Sequence, residues 1–439
     1  MAARRPLGHP GVVTSLRRAA IAGLLLLLVV AGLAACTGSD APPKRTGPPT
    51  LPEVSSLLDR HAHAVLSHDR GAFLADVAAG KAAASFRTRQ GDEFANLVKL
   101  PLTTWSYRAI AVDNDKNARA QASKAYGAPA VIVQVTLRYA LRGVDPVPTR
   151  HDLWWTFVRA GGAVRLAGDG DLADFGGTTW RGPWDFGRLS VVTGAHCLVL
   201  GHPGDRASLQ VIANTVDDAI PDVTSVWGSD WTADVAVLVP GSSAELTAAV
   251  GASSSITADV AAVAVSDGTD PVSGAVYGQR LIVEPASLTQ LSAVGRRILY
   301  THEITHIADA KATSDVAPHW LVEGFADYVA NLRSGQSVAT IAQELRADVR
   351  AGRAPTSLPT SADFETASTA AQAYEGSWLA CRLIAARAGQ DSLVRFYHLV
   401  GRTPGDGDQA LAAGLRQVLH ETPAQFTAHW RSYVEAQLG

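Results

Sequence analysis

The sequence predicts an α+β protein with two folded parts: an N-terminal α+β domain over residues 51–175 and a larger domain over residues 186–439. Three observations support this prediction. The first part has helical spacing followed by β-branched and aromatic runs, the second begins with alternating strand-like and helix-like segments, and the chain after Asn331 has only helical patterns. The larger domain is therefore expected to have two lobes, a mixed sheet with helices over 186–310 and a helical lobe over 311–439.

The N-terminal domain is predicted to pack helices on an antiparallel sheet. Residues 54–77 have helical spacing, and a second helix is predicted over 92–100. The runs at 128–141 and 150–159 are rich in β-branched and aromatic side chains, which is typical of strands. This order resembles the NTF2-like or cystatin-like folds. His61, on the first predicted helix, is interpreted as a surface residue because no acidic or cysteine partner accompanies it.

The larger domain is predicted to begin with alternating strands and helices. The predicted strands cover 189–200, 233–239, 260–264 and 279–283, and the predicted helices between them cover 207–220 and 243–250. The later helices are predicted over 338–351, 366–388, 392–401, 408–419 and 423–438. A stretch rich in Gly and Trp, from Gly176 to Trp184, is the predicted boundary between the two domains.

The stretch from Leu299 to Val329 carries the residues with recognisable chemistry. His302, Glu303 and His306 form an H-E-x-x-H motif. Side chains four residues apart share one face of a helix and lie about 6 Å apart, so the two histidines can bind one metal ion. Glu303 lies one position round the helix, where it can hydrogen-bond a water on that ion rather than bind the ion itself.

Glu323 is the third candidate ligand. It lies in a second helical pattern that follows Pro318, a residue favoured at the first helical position, and it shares a face with Asp327. Two histidines and one carboxylate leave a fourth tetrahedral position open, which is the arrangement of a catalytic zinc site. The alternative interpretation is a pair of hydrogen-bonded core histidines and a surface glutamate.

The segments HEITH and PHWLVEGFADY resemble the gluzincin zinc metallopeptidases, which include thermolysin and the peptidase-MA-like proteins. The resemblance implies one zinc ion per chain, with His302, His306 and Glu323 as ligands and Glu303 as general base. It also implies that Asp327 orients the first histidine ligand. The resemblance is close around the motif and much looser over the rest of the larger domain. For that domain it implies a two-lobed gluzincin-like metallopeptidase fold.

The same resemblance implies further features around the site. The strand over 280–283, the last before the motif, is expected to be the sheet edge that faces the cleft, where a substrate backbone would add as another strand. Tyr374 is a candidate to stabilise an oxyanion, and Tyr328 is the other candidate. The aminopeptidase branch carries a G-x-M-E-N strand, whereas the only methionine here is Met1. This departure favours an endopeptidase or a degenerate enzyme.

The first residues predict export and lipid attachment. Four arginines precede an apolar run over 19–33, which is typical of a signal peptide. The run closes with LAAC, which resembles the lipobox of bacterial lipoproteins and implies cleavage before Cys36 and lipid attachment to its sulfur. Residues 37–50, rich in Pro, Gly and small polar side chains, are predicted to be a disordered tether. An uncleaved single-span anchor is the alternative.

Charge and cysteine content narrow the function classes. The net charge is −3 and 18% of the residues are charged, so nucleic-acid binding is not indicated. Besides Cys36, the chain has only Cys197 and Cys381, which are interpreted either as one disulfide or as two buried thiols. Nothing in the sequence specifies an oligomeric state.

Together these patterns predict a zinc metallopeptidase that is lipid-anchored at the extracytoplasmic face of the cell membrane and acts on peptide or protein substrates. The alternative is a non-catalytic cell-envelope lipoprotein that uses a degenerate zinc-peptidase scaffold and its N-terminal domain for binding. The presence of Glu303 favours the enzyme, because a purely structural site needs its ligands but not a base.

Overall fold

A computed structural model describes residues 46–251, 261–402 and 405–439. The predicted signal peptide, Cys36 and most of the predicted tether lie outside the described residues. Residues 46–439 belong to one compact unit. In the described part of the chain, no helix combines the length and the apolar character needed to cross a membrane.

The N-terminal part is α+β, as predicted. Its elements are α1 (Leu51–Leu66), α2 (Arg70–Ala75), α3 (Ala84–Leu97), β1 (Leu102–Val112), α4 (Lys116–Tyr126), β2 (Ala130–Leu141), β3 (Thr149–Ala160) and β4 (Ala163–Gly168). The strands form an antiparallel sheet in the order β1-β2-β3-β4. The two central strands, β2 and β3, match the predicted strands, whereas β1, β4 and α4 were not predicted.

Helix α1 packs on this sheet, and its buried face includes the position expected at the surface. Leu57 and Val65 are buried on α1, and His61 lies between them with no exposed surface. The His61 ring stacks on Phe73 with 3.9 Å between ring centroids. Burial lowers the pKa of His61 to about 3. The surface interpretation of His61 was therefore wrong, because the histidine occupies the apolar stripe of the helix.

The second sheet is mixed and has five strands in the order β5-β6-β7-β11-β8. Its part of the chain contains β5 (Ser190–Thr193), β6 (Cys197–Gly201), α5 (Arg206–Trp227), β7 (Val235–Leu238), α6 (Ser243–Val250), β8 (Ala262–Val265), β9 (Gly268–Thr269), β10 (Val276–Tyr277) and β11 (Arg280–Val283). The strand predicted over 189–200 is in fact the antiparallel hairpin of β5 and β6, because the chain reverses between Thr193 and Cys197.

Successive residues along a strand of this sheet point to opposite faces, and each face packs on a different hydrophobic core. On β7, Val235 and Val237 belong to the core shared with the C-terminal helices, whereas Ala236 and Leu238 belong to the core shared with the N-terminal sheet. The predicted N-terminal domain and the second sheet therefore share one continuous hydrophobic core.

The rest of the chain is helical, as predicted. It contains α7 (Ser287–Gln290), α8 (Ala293–Asp309), α9 (His319–Asn331), α10 (Val338–Ile341), α11 (Gln343–Arg350), α12 (Ser361–Glu365), α13 (Ala370–Ala388), α14 (Gln390–Gly401), α15 (Gly407–Leu419) and α16 (Pro423–Leu438). Thr422 caps α16, and its side chain accepts a hydrogen bond from the Gln425 N–H. Cys197 and Cys381 are both free and buried, so of the two alternatives the structure has the pair of thiols.

Candidate metal centre

Helix α8 presents the two motif histidines side by side. Ser292 caps the start of this helix by accepting a hydrogen bond from the Gly295 N–H. His302 and His306 lie one turn apart on the same face, and their Nε2 atoms are 3.1 Å from each other. His302 is buried and His306 is half-buried, so the pair keeps some access to solvent.

Helix α9 brings Glu323 to the same point. Its Oε2 atom is 3.2 Å from Nε2 of His302 and 3.6 Å from Nε2 of His306. Close packing of α9 on α13 supports this position, because a Cβ at Gly324 would overlap the carbonyl group of Ser377. The residue beside the candidate ligand must therefore be glycine for the two helices to approach this closely.

These three atoms fit one metal ion. A point about 1.9 Å from all three exists, close to the roughly 2.0–2.2 Å at which histidine nitrogen and carboxylate oxygen bind zinc. Within the described ranges, His302, His306 and Glu323 are the one grouping of at least three potential ligands that converge closely enough to hold an ion. A single carboxylate and two imidazoles suit zinc, and they leave room for a further ligand.

Two neighbouring residues hold the candidate ligands in orientation. Oδ1 of Asp327 lies 2.9 Å from Nδ1 of His302. Because a carboxylate accepts, Nδ1 carries the hydrogen and donates it, which leaves Nε2 for a metal. Nε2 of His319 lies 3.3 Å from Oε1 of Glu323, so the second oxygen of this carboxylate also has a partner.

The candidate metal site contains more acidic than basic side chains. The carboxylates of Glu303, Glu323 and Asp327 surround the two histidines. Burial lowers the pKa of His302, but the carboxylates outweigh burial and raise it well above its ordinary value. At Glu323, burial raises the pKa of the carboxyl. Its hydrogen bonds to histidines outweigh burial and hold this pKa well below its usual range. This excess of negative charge favours a bound cation.

Glu303 points to the second sheet rather than to the candidate ligand atoms. Its Oε2 accepts a hydrogen bond of 2.8 Å from the Ala264 N–H on β8. Strand β8 is the edge of the sheet, and β11 lies between β7 and β8. The prediction that residues 280–283 form the edge was therefore wrong, because β7 and β8, which come earlier in the chain, pair with that strand on its two sides.

The two tyrosine candidates lie in different surroundings. Tyr374 on α13 has its ring centroid 6.2 Å from that of His302, and 36% of the residue is exposed. Burial raises the pKa of the Tyr374 phenol, as do the nearby carboxylates of Glu323, Asp327 and Glu303. Tyr328 is buried in the helical core. Of the two, the structure brings Tyr374 to the open side of the site.

Two contacts of the site were missed in the sequence. His319 precedes Glu323 by one helical turn, so the spacing of the two residues carried the signal for a contact. Phe364 stacks on His319 and meets Tyr374 edge-to-face, with ring centroids 4.4 Å and 5.0 Å apart. No local pattern pointed to Phe364, because it comes from the separate helix α12.

Comparison with known proteins gives distant likenesses only. No protein-family model matches the chain, and no curated protein matches it in sequence. Among solved structures, a two-domain M1 zinc metallopeptidase variant bound to L-arginine is 13% identical, with a TM-score of 0.33 over 71% of this chain and 92% of that one. An M1 zinc metallopeptidase from Deinococcus radiodurans is also 13% identical, with a TM-score of 0.35 over 71% and 91%. At this TM-score the likeness carries no functional conclusion.

Proposed function

We propose that the chain is a zinc-dependent endopeptidase, held at the extracytoplasmic face of the cell membrane by lipid on Cys36. The observation that supports the enzyme is the convergence of His302, His306 and Glu323 beside a carboxylate, Glu303, that is not one of the converging ligands. Bound at these three residues, zinc would supply Lewis acidity, which polarises a carbonyl and lowers the pKa of water.

Glu303 is the proposed general base. The Ala264 N–H binds one oxygen of its carboxylate, and the other oxygen makes no hydrogen bond within the described part of the chain. That free oxygen takes a proton from the water that attacks the peptide carbonyl and then delivers it to the leaving amine. The backbone hydrogen bond restricts rotation of the carboxylate, so the base is oriented before substrate arrives.

The open edge of the second sheet is the proposed place for substrate. Among the described residues, β8 pairs with a strand on one side only, which is β11. On its other side Glu303 holds the Ala264 N–H, and the remaining backbone groups of that side are proposed to pair with an extended peptide. Glu303 bonds to the middle of this strand, so a peptide added there passes next to the base. Across the site, the Tyr374 hydroxyl is proposed to donate to the oxyanion that forms during attack.

The decisive experiment measures metal content and hydrolysis on one preparation. We expect about one zinc per chain, cleavage of an unstructured protein, loss of cleavage on chelation, and recovery on adding zinc. A chain that binds zinc but cleaves no member of a diverse peptide library would support the alternative, a non-catalytic lipoprotein that keeps the site only for structure or binding.

Replacing Cys36 with serine tests the anchor. Cys36→Ser removes the thiol that carries the lipid, so metabolic labelling with a fatty acid should fall to background and the protein should leave the membrane fraction. Cys197→Ser is the matched control, since it changes a buried thiol elsewhere and should keep the label. Persistent labelling of Cys36→Ser would exclude this anchoring route.

A further inference from the structure

A cavity of about 290 Å³ lies between the N-terminal sheet and the second sheet. It is much larger than the packing voids of a protein interior, and it approaches the roughly 300–1,000 Å³ of small-molecule sites. It also differs from a packing defect in its lining. Charged side chains that are themselves buried, Arg280 and Glu245, contribute to its walls beside aromatic rings.

The aromatic walls form a corner. The rings of Tyr139 and Trp180 are inclined by 29°, and the Trp184 ring stands at 87° to the first and 67° to the second. His151 stacks on Trp180 with 3.6 Å between centroids, which holds the indole in place. The Arg280 guanidinium already lies over the Tyr139 ring, 5.8 Å from its centroid, so the aromatic surface that remains for a ligand is that of Trp180 and Trp184. Aromatic π faces attract cations.

The charges around this corner leave an excess of acid. Both arginines of the lining have carboxylate partners: Arg280 contacts both oxygens of Asp145 at 2.7 and 3.0 Å, and Arg181 shares Asp169 with Arg89.

Among the residues that the structure describes, the two carboxylates of the lining have no arginine or lysine partner. Glu245 contacts His202 at 2.7 Å and the Gly241 N–H at 2.8 Å, and Asp267 contacts Thr149 and His151. The paired arginines are unavailable to an anion, and a neutral apolar ligand would remove water from these carboxylates without replacing it.

The cavity is separate from the metal centre. Ala262 and Ala264 alternate with Val263 and Val265 along β8, so the two pairs face opposite sides of the sheet. Ala262 belongs to the core beneath α8, whereas Val265 lines the cavity. A ligand in the cavity therefore lies across the sheet from His302 and does not occupy the proposed peptide groove.

We propose that this cavity is a binding site for a small organic cation, a quaternary ammonium or protonated amine that carries a short apolar group. The rings of Trp180 and Trp184 contact the cationic group, and Asp267 and Glu245 supply the opposite charge. This site is independent of the proposed peptidase activity, and its occupancy needs no metal.

Titration calorimetry of the full chain in detergent tests the proposal with three probes of one shape. Choline is the cation, 3,3-dimethylbutan-1-ol is its neutral isostere, and 3,3-dimethylbutanoate is the anionic counterpart. We expect choline to bind about tenfold or more tightly than the alcohol, and the carboxylate to bind weakest. Equal binding of the three, preference for either control, or no saturable choline binding would overturn the assignment.

Variants locate the site. Trp180→Leu and Asp267→Asn should each weaken choline binding about tenfold, since one removes a π face and the other a charge. Asp270→Asn makes the same charge change at the other end of the short strand β9, outside the lining, so it should bind choline as the wild type does. A circular dichroism spectrum and melting temperature like those of the wild type would show that the variants are folded. Glu245→Gln replaces Trp180→Leu if the latter is unstable, and undiminished binding in all lining variants would place choline elsewhere.

Discussion

Glu303→Gln is expected to lower the rate of peptide hydrolysis by at least about 100-fold while leaving zinc content unchanged. Glutamine has nearly the same size, and its side-chain oxygen can still accept the hydrogen bond from the Ala264 N–H. It cannot accept a proton from water at neutral pH, so only the acid–base step is removed. The measurement is a peptide-library digest of wild type and variant at matched zinc occupancy.

The same digest contains its controls. Glu435→Gln changes an exposed glutamate on α16 and should cleave like the wild type. Tyr374→Phe keeps the ring against Phe364 and removes only the hydroxyl, so it should lower kcat with little change in KM if that hydroxyl stabilises the oxyanion. Equal cleavage by wild type and Glu303→Gln would remove Glu303 from the mechanism.

His302→Ala is expected to abolish stoichiometric zinc binding. Without this imidazole only His306 and Glu323 converge, and two protein ligands do not make a zinc site of the usual kind. Zinc measured by mass spectrometry after gel filtration should fall from about one ion per chain to background. His63→Ala, at an exposed position on α1, is the matched control and should retain the ion.

Asp327→Asn provides a graded comparison with this loss. An amide still contacts Nδ1 of His302 but carries no charge, so zinc affinity should fall by about 10- to 100-fold rather than disappear. Competition with a chromophoric chelator measures the difference. Full zinc occupancy in His302→Ala would refute the ligand assignment, whatever the behaviour of Asp327→Asn.

Helix geometry explains why part of the site could be predicted. His302 and His306 meet because the helix repeat brings every fourth side chain to one face, and no distant part of the chain is needed. The contact of His319 with Glu323 has the same origin and could have been read in the same way. His61 was misread although Leu57 and Val65 flank it at helical spacing, so that signal too was present in the sequence.

The wrong prediction at the site concerned the order of the strands in the second sheet. All four residues of β11 are buried, a pattern that fits an interior strand better than an edge, but no local rule says which strand takes the edge. That depends on the pairing of β11 with β7 and β8, which come from earlier parts of the chain. The contact between Ala264 and Glu303 follows from this pairing.

Local patterns in this chain specify most helices, most strands and the pair of histidines, because side-chain periodicity and capping act over a few residues. Tertiary packing decides the rest. Glu323 reaches the histidines only because α9 packs against α8 and, through Gly324, against α13. The aromatic cavity exists only where the N-terminal sheet meets the second sheet, since Tyr139 and Arg280 are far apart in sequence. Contacts between distant segments depend on the summed packing of the whole core, which no single stretch of sequence encodes.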